Sequence, residues 1–194
     1  MTLFNRIAAL IVIALFYAIY YTKMLIQSKK GIRTKYIGSR KEKKLHRVES
    51  LMAIATYGIV ASQLISLIFG WNLLGETFTI VGLIVGLVGD FIFLTAVVGM
   101  RDSWRAGIPE ADKTKLITGG IYKFSRNPAF LGFDLSYIGI LLMAFNSLTL
   151  IFTIFAIVML HLQILQEEKY MESTFGEEYL DYKRHTLRYF GRRS

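Results

Sequence analysis

The stretch PAFLGFDLSYIGILLMAFNSLTLIFTIFAIVMLHLQILQ, residues 128–166, decides the fold. It is almost continuously apolar and too long for one crossing, because about 20 helical residues span the hydrocarbon core of a bilayer. Asn146 and Ser147 interrupt the apolar run near its middle. The pattern therefore predicts two membrane helices, at residues 128–145 and 148–166, that are joined by a tight turn.

Three further apolar blocks precede this stretch, at residues 3–24, 51–69 and 78–100. Hydrophobic residues make up 54% of the 194 residues, which is more than a soluble domain of this length needs. We therefore predict an all-α integral membrane protein with five transmembrane helices, the last two forming a tight helical hairpin, plus a cytoplasmic connector and a C-terminal helix. The length fits a single membrane domain, residues 1–194, in which residues 1–100 supply three scaffold spans.

The charge pattern predicts the orientation in the membrane. The formal net charge is +9, and the Lys and Arg residues concentrate in segments 29–47 and 101–126, whereas the loops at 71–77 and 146–147 contain neither. Basic loops of multi-pass proteins face the cytoplasm, which places the N-terminus outside and the C-terminal segment inside. The basic residues border apolar spans, so nucleic acid is not an expected partner. Cysteine is absent, which excludes disulfides, thiolate metal sites and a Cys nucleophile, and we predict no metal site.

The first polar motif, residues 116–132, reads LITGGIYKFSRNPAFLG. Pro128 suits the first position of a helix, and Asn127 is then the predicted N-cap, its side chain accepting a hydrogen bond from a free backbone N–H. Arg126 adds a guanidinium beside the positive end of the helix dipole. Together these groups predict a carboxylate-binding site, and the alternative is a capped helix with an Arg that extends to the interface.

The second polar motif, residues 166–190, reads QEEKYMESTFGEEYLDYKRHTLRYF. Helical spacing places Gln163 and Glu167 on one face. Glu167 and Glu168 lie near a helix C-terminus, where the macrodipole disfavours acids, so we expect a cationic or hydrogen-bond-donating partner unless the pair is simply solvated. Tyr179 and Tyr182 predict either a support for a flat purine ring or anchors at the membrane interface.

The chain resembles the isoprenylcysteine carboxyl methyltransferase family, within a broader group that includes phospholipid N-methyltransferases. The resemblance rests on the order of these elements: Gly120-Ile121-Tyr122, Arg126-Asn127-Pro128, Phe130, Gly132, Glu167-Glu168, Phe175-Gly176-Glu177-Glu178-Tyr179, Tyr182 and Arg188. Asn127 departs from the pattern, since the family usually has His there. Gln163 or His161 stands near the place where eukaryotic members have an Arg, which leaves the acceptor of the methyl group open.

The resemblance implies an enzyme that uses S-adenosyl-L-methionine, with S-adenosyl-L-homocysteine as product, to O-methylate the C-terminal carboxylate of an isoprenylated cysteine or a similar lipid-linked carboxylate. The lipid-linked substrate would enter from the bilayer, and the active site would be cytoplasmic. Residues 101–194 would form the cofactor-binding part. The resemblance assigns catalytic roles to Glu167 and Arg126. It assigns cofactor binding to Leu116, Ile117, Gly120, Tyr122, Arg126, Asn127, Pro128, Gly132, Glu167, Glu168, Tyr179 and Tyr182.

Three alternatives remain at this stage. A phospholipid or amine N-methyltransferase would need a base for the ammonium proton, and His161, Glu167 or Glu168 are candidates. An NADPH-dependent sterol-type reductase shares an Arg-His-Pro-aromatic-Gly element, although the later Glu-Glu and Phe-Gly-Glu-Glu-Tyr elements disfavour it. A membrane scaffold or transporter subunit is the non-enzyme alternative, and internal repeats typical of secondary transporters are not evident.

Polar residues inside the spans are expected either to help the helices pack or to take a direct part in function. Asp90 follows Gly82 and Gly86 at four-residue intervals, and small residues at this spacing let helices pack closely. We therefore expect helix packing there, with Asp90 protonated or paired. Asp134 is expected either to line a substrate tunnel or to bond a neighbouring helix. Trp104, at the end of a span, is predicted to be an interfacial anchor.

Overall fold

The computed structural model describes residues 1–34, 43–105 and 115–193, without the side chains of residues 43–47 and 49. Within these ranges the regular structure is helical: α1 (Leu3–Lys29), α2 (Lys43–Phe69), α3 (Glu76–Met100), α4 (Pro128–Met143), α5 (Ser147–Phe175) and α6 (Glu177–His185), with short 3-10 turns at Arg101–Ser103 and Gly120–Lys123. The predicted all-α class is confirmed. Parts of both basic segments, residues 35–42 and 106–114, lie outside the described residues.

Four of the helices are long and apolar enough to cross a membrane: α1, residues Ser50–Phe69 of α2, α3 with the turn after it, and α5. The fifth apolar helix, α4, has 16 residues and is about 24 Å long at 1.5 Å per residue. The predicted end of the last span at residue 166 was wrong, because α5 continues to Phe175, and α1 also extends beyond the apolar block 3–24, to Lys29. Helical backbone bonding does not depend on lipid, so α5 ends only at Gly176, whose φ of +53° suits glycine.

Glycines bring α3 and α4 into backbone contact. A Cβ added to Gly139 would lie 2.5 Å from the backbone nitrogen of Gly86, and one added to Gly82 would lie 2.5 Å from the carbonyl oxygen of Gly139. Such close approach is the role of small residues between membrane helices. The hydroxyl of Ser136 donates to Asp90 Oδ1 at 2.8 Å across this interface. The predicted packing role of the glycines is confirmed, and Asp90 is paired through Oδ1, while its Oδ2 is buried without a partner among the described residues.

Asn146 begins α5 and links it to α2. Its Oδ1 accepts from the backbone nitrogen of Thr149 at 3.1 Å, and its Nδ2 donates to Ser66 Oγ at 2.7 Å. The Ser66 and Thr149 hydroxyls are 2.9 Å apart. The predicted interruption is therefore a helix cap whose side chain also fixes the position of α2 relative to α5.

The N-terminal helices lie on different sides of the C-terminal ones. α1 packs against α3 and α4, and α2 packs mainly against α5. α1 and α2 approach each other at one end, where Leu67 packs in one cluster with Ala8 and Val12 and a Cβ built on Gly70 would meet the Arg6 side chain. Towards their other ends, Tyr21 on α1 and Tyr57 on α2 are exposed and both line the cavity described below, and the space between these two residues is called the gap between α1 and α2.

The glycine interface predicts a specific stability effect. Gly139→Ala should lower the free energy of unfolding by about 1–3 kcal/mol, because the added methyl group meets backbone atoms that cannot rotate away. Denaturant unfolding of the detergent-solubilised protein measures this effect. Gly119→Ala is the matched control, since nothing lies within 4 Å of a Cβ built there. Equal stability of the two variants would contradict the packing argument.

Candidate active site

The segment before α4 is held in place by hydrogen bonds within the segment and by one to α3. Gly120 begins a 3-10 turn with φ of +61°, which is costly for residues with a Cβ. Tyr122 in this turn is 5% exposed, and its hydroxyl donates to the carbonyl of Ala96 on α3 at 3.3 Å. The Ser125 hydroxyl accepts from the backbone nitrogen of Asn127 at 3.1 Å, immediately before Pro128 begins α4. These contacts fix Arg126 and Asn127 at the start of α4.

Glu168 on α5 is the electrostatic centre of the site. Its side chain is 5% exposed and lies between two guanidinium groups. Arg126 donates to Glu168 Oε1 from Nη2 at 2.8 Å and from Nε at 3.2 Å. Arg188 donates to Glu168 Oε2 from Nη2 at 2.9 Å and from Nε at 3.2 Å. Each carboxylate oxygen thus receives two charge-assisted bonds from one arginine.

The C-terminal segment folds back onto the loop before α4. The turn at Gly176 lets α6 return, and the Tyr182 hydroxyl donates to the carbonyl of Tyr122 at 2.6 Å. The backbone nitrogen of Arg126 donates to the carbonyl of Leu187 at 3.0 Å. The Arg126 guanidinium also donates to the carbonyl of Thr186. The two polar motifs are therefore in direct contact, as the predicted site requires.

Asn127 does not cap α4 in the predicted way. Its backbone occupies the N-cap position, but its side chain makes no capping bond. Instead Nδ2 donates to Glu168 Oε1 at 3.1 Å and to the carbonyl of Arg188 at 3.2 Å. A hydrogen bond to a buried carboxylate is stronger than a bond between the Asn side chain and a backbone N–H of the helix. The contact with Glu168 therefore sets the orientation of the Asn127 side chain in place of the local cap.

The charged groups of this network, Arg126, Glu168 and Arg188, pair mainly with one another. The Arg126 side chain is 6% exposed and pairs with Glu168, so its charge is neutralised locally. Hydrogen bonding to Glu168 raises the pKa of Arg188, which keeps this guanidinium charged. Burial raises the pKa of Tyr182, so its hydroxyl stays a donor. Two arginines and one carboxylate leave the cluster with one net positive charge.

A cavity of about 310 Å³ adjoins this network. The tyrosine of the 3-10 turn, the first residues of α4 and the polar face of α5 meet at one end of it, where Gln163 Nε2 donates to Glu167 Oε1 at 3.0 Å. The polar lining residues are Arg105, Tyr122, Arg126, Asn127, Gln163 and Glu167. The rest of the wall is mostly apolar or aromatic: Phe16, Tyr17, Tyr20, Tyr21, Met24, Met52, Ala53, Thr56, Tyr57, Met100, Trp104, Pro128, Ala129, Phe130, Phe133, Tyr137 and Leu160. A small volume with few polar groups at one end is typical of a ligand site.

The residues assigned by family resemblance separate into three groups. The cavity wall contains Tyr122, Arg126, Asn127, Pro128 and Glu167. Glu168 lies behind the wall, in the arginine network. The others lie elsewhere: Leu116, Ile117, Tyr179 and Tyr182 pack in one cluster with Ala96, Gly120 lies in the exposed turn, and Gly132 packs against Phe93.

Tyr179 and Tyr182 do not present open ring faces. They are 3% and 9% exposed, and their rings meet edge to face with centroids 6.1 Å apart. Protein therefore covers the surfaces that a purine ring would use. The roles predicted for these two tyrosines stay predictions.

The sequence reasoning missed the contribution of the N-terminal half. Residues 1–100 were expected to be scaffold, but α1 and α2 form much of the cavity wall, and Trp104 is 4% exposed rather than an interfacial anchor. Gln27 on α1 donates to the carbonyl of Trp104 at 2.9 Å and so ties this wall to the loop after α3. The run of aromatic residues from Phe16 to Tyr21 was the available signal. Asp134 does not line the cavity, and its Oδ1 is buried with no bonding partner among the described residues.

Comparison with curated proteins finds several similar chains. The protein-S-isoprenylcysteine O-methyltransferase of Saccharomyces cerevisiae is 31% identical over 123 residues, which is 60% of this chain and 50% of the yeast protein. A probable protein-S-isoprenylcysteine O-methyltransferase of Oryza sativa subsp. indica is 34% identical over 105 residues, 53% of this chain and 55% of the rice protein. Protein-S-isoprenylcysteine O-methyltransferase B of Arabidopsis thaliana is 29% identical over 106 residues, 52% of this chain and 53% of its own. The chain spans about half the length of the curated relatives it matches.

A family model covers more than half of the chain. Residues 77–178 match the PEMT family, described as phospholipid methyltransferase. The matched range begins at α3 and includes the loop before α4, the glycine interface, Glu167 and Glu168. The resemblance predicted from the ordered motifs is thereby confirmed, and the chain belongs to the phospholipid methyltransferase family.

Proposed function

We propose that this protein transfers a methyl group from S-adenosylmethionine to the carboxylate of an isoprenylated cysteine or a similar lipid-linked carboxylate. One observation carries the proposal: a single cavity has a polar end beside the Arg126–Glu168–Arg188 network and an aromatic wall that borders the gap between α1 and α2. Such a cavity suits one polar ligand and one lipid-linked ligand. The relatives from yeast, rice and Arabidopsis carry names that describe this reaction for those proteins.

The donor and acceptor groups at the polar end fit S-adenosylmethionine. When bound, this cofactor supplies a methyl group carried on a sulfonium sulfur. Family resemblance assigns its carboxylate to Arg126 and Asn127. Asn127 would exchange one of its present bonds, to Glu168 or to the carbonyl of Arg188, for the ligand, and Glu167 offers an acceptor suited to the ammonium group. Tyr122 provides an aromatic edge for the adenosine. We extend the proposal to the remaining family-assigned positions, Leu116, Ile117, Gly120, Pro128, Gly132, Glu168, Tyr179 and Tyr182, as supports of this pocket.

The reaction makes modest demands on the protein. A terminal carboxylate has a pKa of about 3.5, so it is ionised at neutral pH and needs no general base. The protein's task is then to align the acceptor oxygen with the methyl group, and alignment alone contributes about 7–11 kcal/mol in intramolecular reactions. Phe130, Phe133 and Tyr137 line the cavity and exclude water from it. Glu167 is proposed to orient the ligands at the polar end.

The gap between α1 and α2 is the proposed entrance for the lipid-linked substrate. Tyr21 on α1 is 51% exposed and Tyr57 on α2 is 67% exposed, and both line the cavity. An apolar chain can therefore remain in the bilayer while its polar head reaches the cavity. The cofactor would come from the aqueous side.

We further propose a membrane topology with five spans. We take α4 as a fifth span that forms a hairpin with α5, since both helices are apolar and only a short turn separates them. A 16-residue helix is short for a span, but close packing against α3 shields it from lipid. The N-terminus would then face outside, and α6 and the site would face the cytoplasm. Residues 1–194 act as one domain in this arrangement.

N-methylation of a lipid amine is the second candidate, and the description of the matching family favours it. An ammonium acceptor must first lose a proton. Among the three candidate bases, His161 contacts Tyr189 at 2.7 Å and does not line the cavity, and Glu168 is paired with two arginines. Glu167 lines the cavity and is the remaining base. Mass spectrometry of the products from a prenylcysteine and an amine lipid separates the two candidates.

Cofactor binding is the first test of the proposed function. Calorimetry of the detergent-purified protein with S-adenosylhomocysteine should show saturable binding at one site, because the polar end of the cavity offers both donors and acceptors to the aminoacyl group. NADPH serves as the comparison ligand for the reductase alternative. Binding of NADPH without binding of adenosylhomocysteine would refute the proposal.

Glu167 should be needed for turnover. Glu167→Gln removes the negative charge at the polar end of the cavity while keeping the side-chain shape, and we expect turnover to fall about 10²-fold at saturating cofactor through lost alignment. Initial rates of methyl transfer measure this. Glu76→Gln, in the first turn of α3 and exposed, is the control. Unchanged turnover of Glu167→Gln would refute its role.

Glu168 should be needed for the shape of the site. Glu168→Gln leaves two guanidinium groups facing each other without a counter-charge, and loss of one partner from a buried ion pair costs about 3–5 kcal/mol of unfolding free energy. Adenosylhomocysteine affinity should fall with it. Glu172→Gln is the matched control on the same helix, because the Glu172 side chain is 35% exposed and its pair with Lys183 contributes at most about 1 kcal/mol. Equal effects of the two variants would contradict the prediction.

A further inference from the structure

The C-terminal segment presents an aromatic side chain that the site does not use. Phe190 is 68% exposed, although the chain around it is held in place. The backbone nitrogen of Gly191 donates to the carbonyl of Phe124 at 2.6 Å, and the backbone nitrogen of Leu187 donates to the carbonyl of Gly191 at 2.9 Å. Phe124, in the loop before α4, is 49% exposed. Two phenyl rings are therefore exposed on a part of the chain whose backbone is fixed.

A contact with α5 fixes the depth of this segment relative to the bilayer. The Tyr189 hydroxyl lies 2.7 Å from His161 Nδ1, and the two rings stack with centroids 6.0 Å apart. His161 precedes Leu162, which ends the exposed apolar stripe of α5: Ile151, Ile154, Val158 and Leu162. The next exposed residue on this helix is Lys169, so the lipid-facing part of α5 ends between Leu162 and Lys169. Tyr189 reaches α5 at that level, which places Phe190 at the membrane interface.

Exposed cations accompany the two phenyl rings. Lys123 precedes Phe124 in the chain, and Arg192 and Arg193 follow Phe190. None of these three cations forms an ion pair with another residue of the described ranges. Lys123 and Arg192 line one surface pocket, so the two sides of the turn bring their charges together.

Two acidic residues of α6, Glu178 and Asp181, line the same pocket. Asp181 lies 3.8 Å from Arg184 on its own helix, so its charge is partly compensated there. From residue 182 to residue 193 the sequence contains five Lys or Arg residues and no acid. The turn that carries Phe190 is therefore cationic, and an anionic partner fits it.

We propose that residues 187–193, with Lys123 and Phe124, form a docking surface for the anionic head groups of the bilayer. The rings of Phe124 and Phe190 enter the interface between head groups and acyl chains, and the three exposed cations contact lipid phosphates. Aromatic side chains favour this level of a bilayer, and basic residues beside it attract anionic lipids. Lipid rather than a soluble protein is the occupant, because the contact between Tyr189 and His161 sets the depth.

This docking gives the bilayer a part in the arginine network. Arg188 lies two residues before Phe190, and it binds Glu168 from the same segment. A bilayer that holds Phe190 therefore also holds the Arg188 backbone near α5. The inference rests on the proposed crossing of the bilayer by α5 and does not depend on the methyl-transfer reaction.

Single-cysteine labelling tests the inference, because the chain has no cysteine of its own. Phe190→Cys, Leu162→Cys and Ser173→Cys each receive a small apolar bimane dye, in protein reconstituted into vesicles of phosphatidylcholine and anionic phosphatidylglycerol. Leu162 is the lipid-facing reference, and Ser173, which is exposed beyond Lys169, is the reference for water. Nitroxide lipid, labelled near the top of the acyl chain, quenches dye in the bilayer, and acrylamide, which is uncharged, quenches dye in water.

The dye at position 190 should lose intensity with the nitroxide lipid and resist acrylamide, as the dye at position 162 does. The dye at position 173 should show the reverse. Arg192→Gln together with Arg193→Gln should raise the ratio of water-exposed to docked dye at position 190 about fivefold for each arginine removed. Arg184→Gln is the matched control, because that guanidinium already lies near Glu177 and Asp181, and it should leave the ratio unchanged.

Two results would overturn the inference. Quenching of the dye at position 190 by acrylamide, as at position 173, would show that Phe190 faces water and is open to a soluble partner. Docking that is equal in vesicles with and without phosphatidylglycerol would exclude the role of anionic lipid. If the dye at position 162 also escapes the nitroxide lipid, the placement of α5 in the bilayer fails, and the proposed topology fails with the inference.

Discussion

The site depends on one buried carboxylate held between two guanidinium groups. Glu168 comes from the last long helix, Arg126 from the loop before α4 and Arg188 from the C-terminal segment. Three separate parts of the chain therefore meet at one side chain. A buried carboxylate with a single arginine would satisfy charge balance, but two arginines also draw the C-terminal segment against α4. Such a cluster is costly to desolvate, so its hydrogen bonds must be well satisfied, and four donor distances between 2.8 and 3.2 Å meet that need.

The glycine interface supports this network from a distance. Close approach of α3 and α4 fixes the start of α4, and the start of α4 carries Arg126 and Asn127. Asn146 fixes α5 relative to α2, and α5 carries Gln163, Glu167 and Glu168. The cavity forms between these two helix pairs. Because Tyr21 on α1 and Tyr57 on α2 both line the cavity and are exposed, its aromatic wall continues to the surface between these two helices.

Sequence reasoning found the helices and the motif residues but predicted the surroundings of two side chains, Asn127 and Trp104, incorrectly. Asn127 was expected to cap α4, and its amide instead bonds Glu168, because a buried charge outweighs a local cap. The adjacent acids Glu167 and Glu168 differ by about 100° around the helix, so one lines the cavity and the other faces the arginines. Sequence spacing predicts that the two side chains point in different directions, but it does not predict which of them lines the cavity. That choice follows from where α4 and the C-terminal segment pack.

The sequence by itself determined the helical class, the position of the turn at Asn146, the glycine contact surface around Asp90 and the family. These features follow from local composition and from short, ordered motifs, which are properties of neighbouring residues. The tertiary structure decided that α1 and α2 line the cavity, that Arg126 is neutralised by Glu168, and that Glu167 lines the cavity while Glu168 does not. These features join residues far apart in the chain. Their pairing depends on how whole helices pack, and the hydrophobic pattern of each helix does not specify its neighbours.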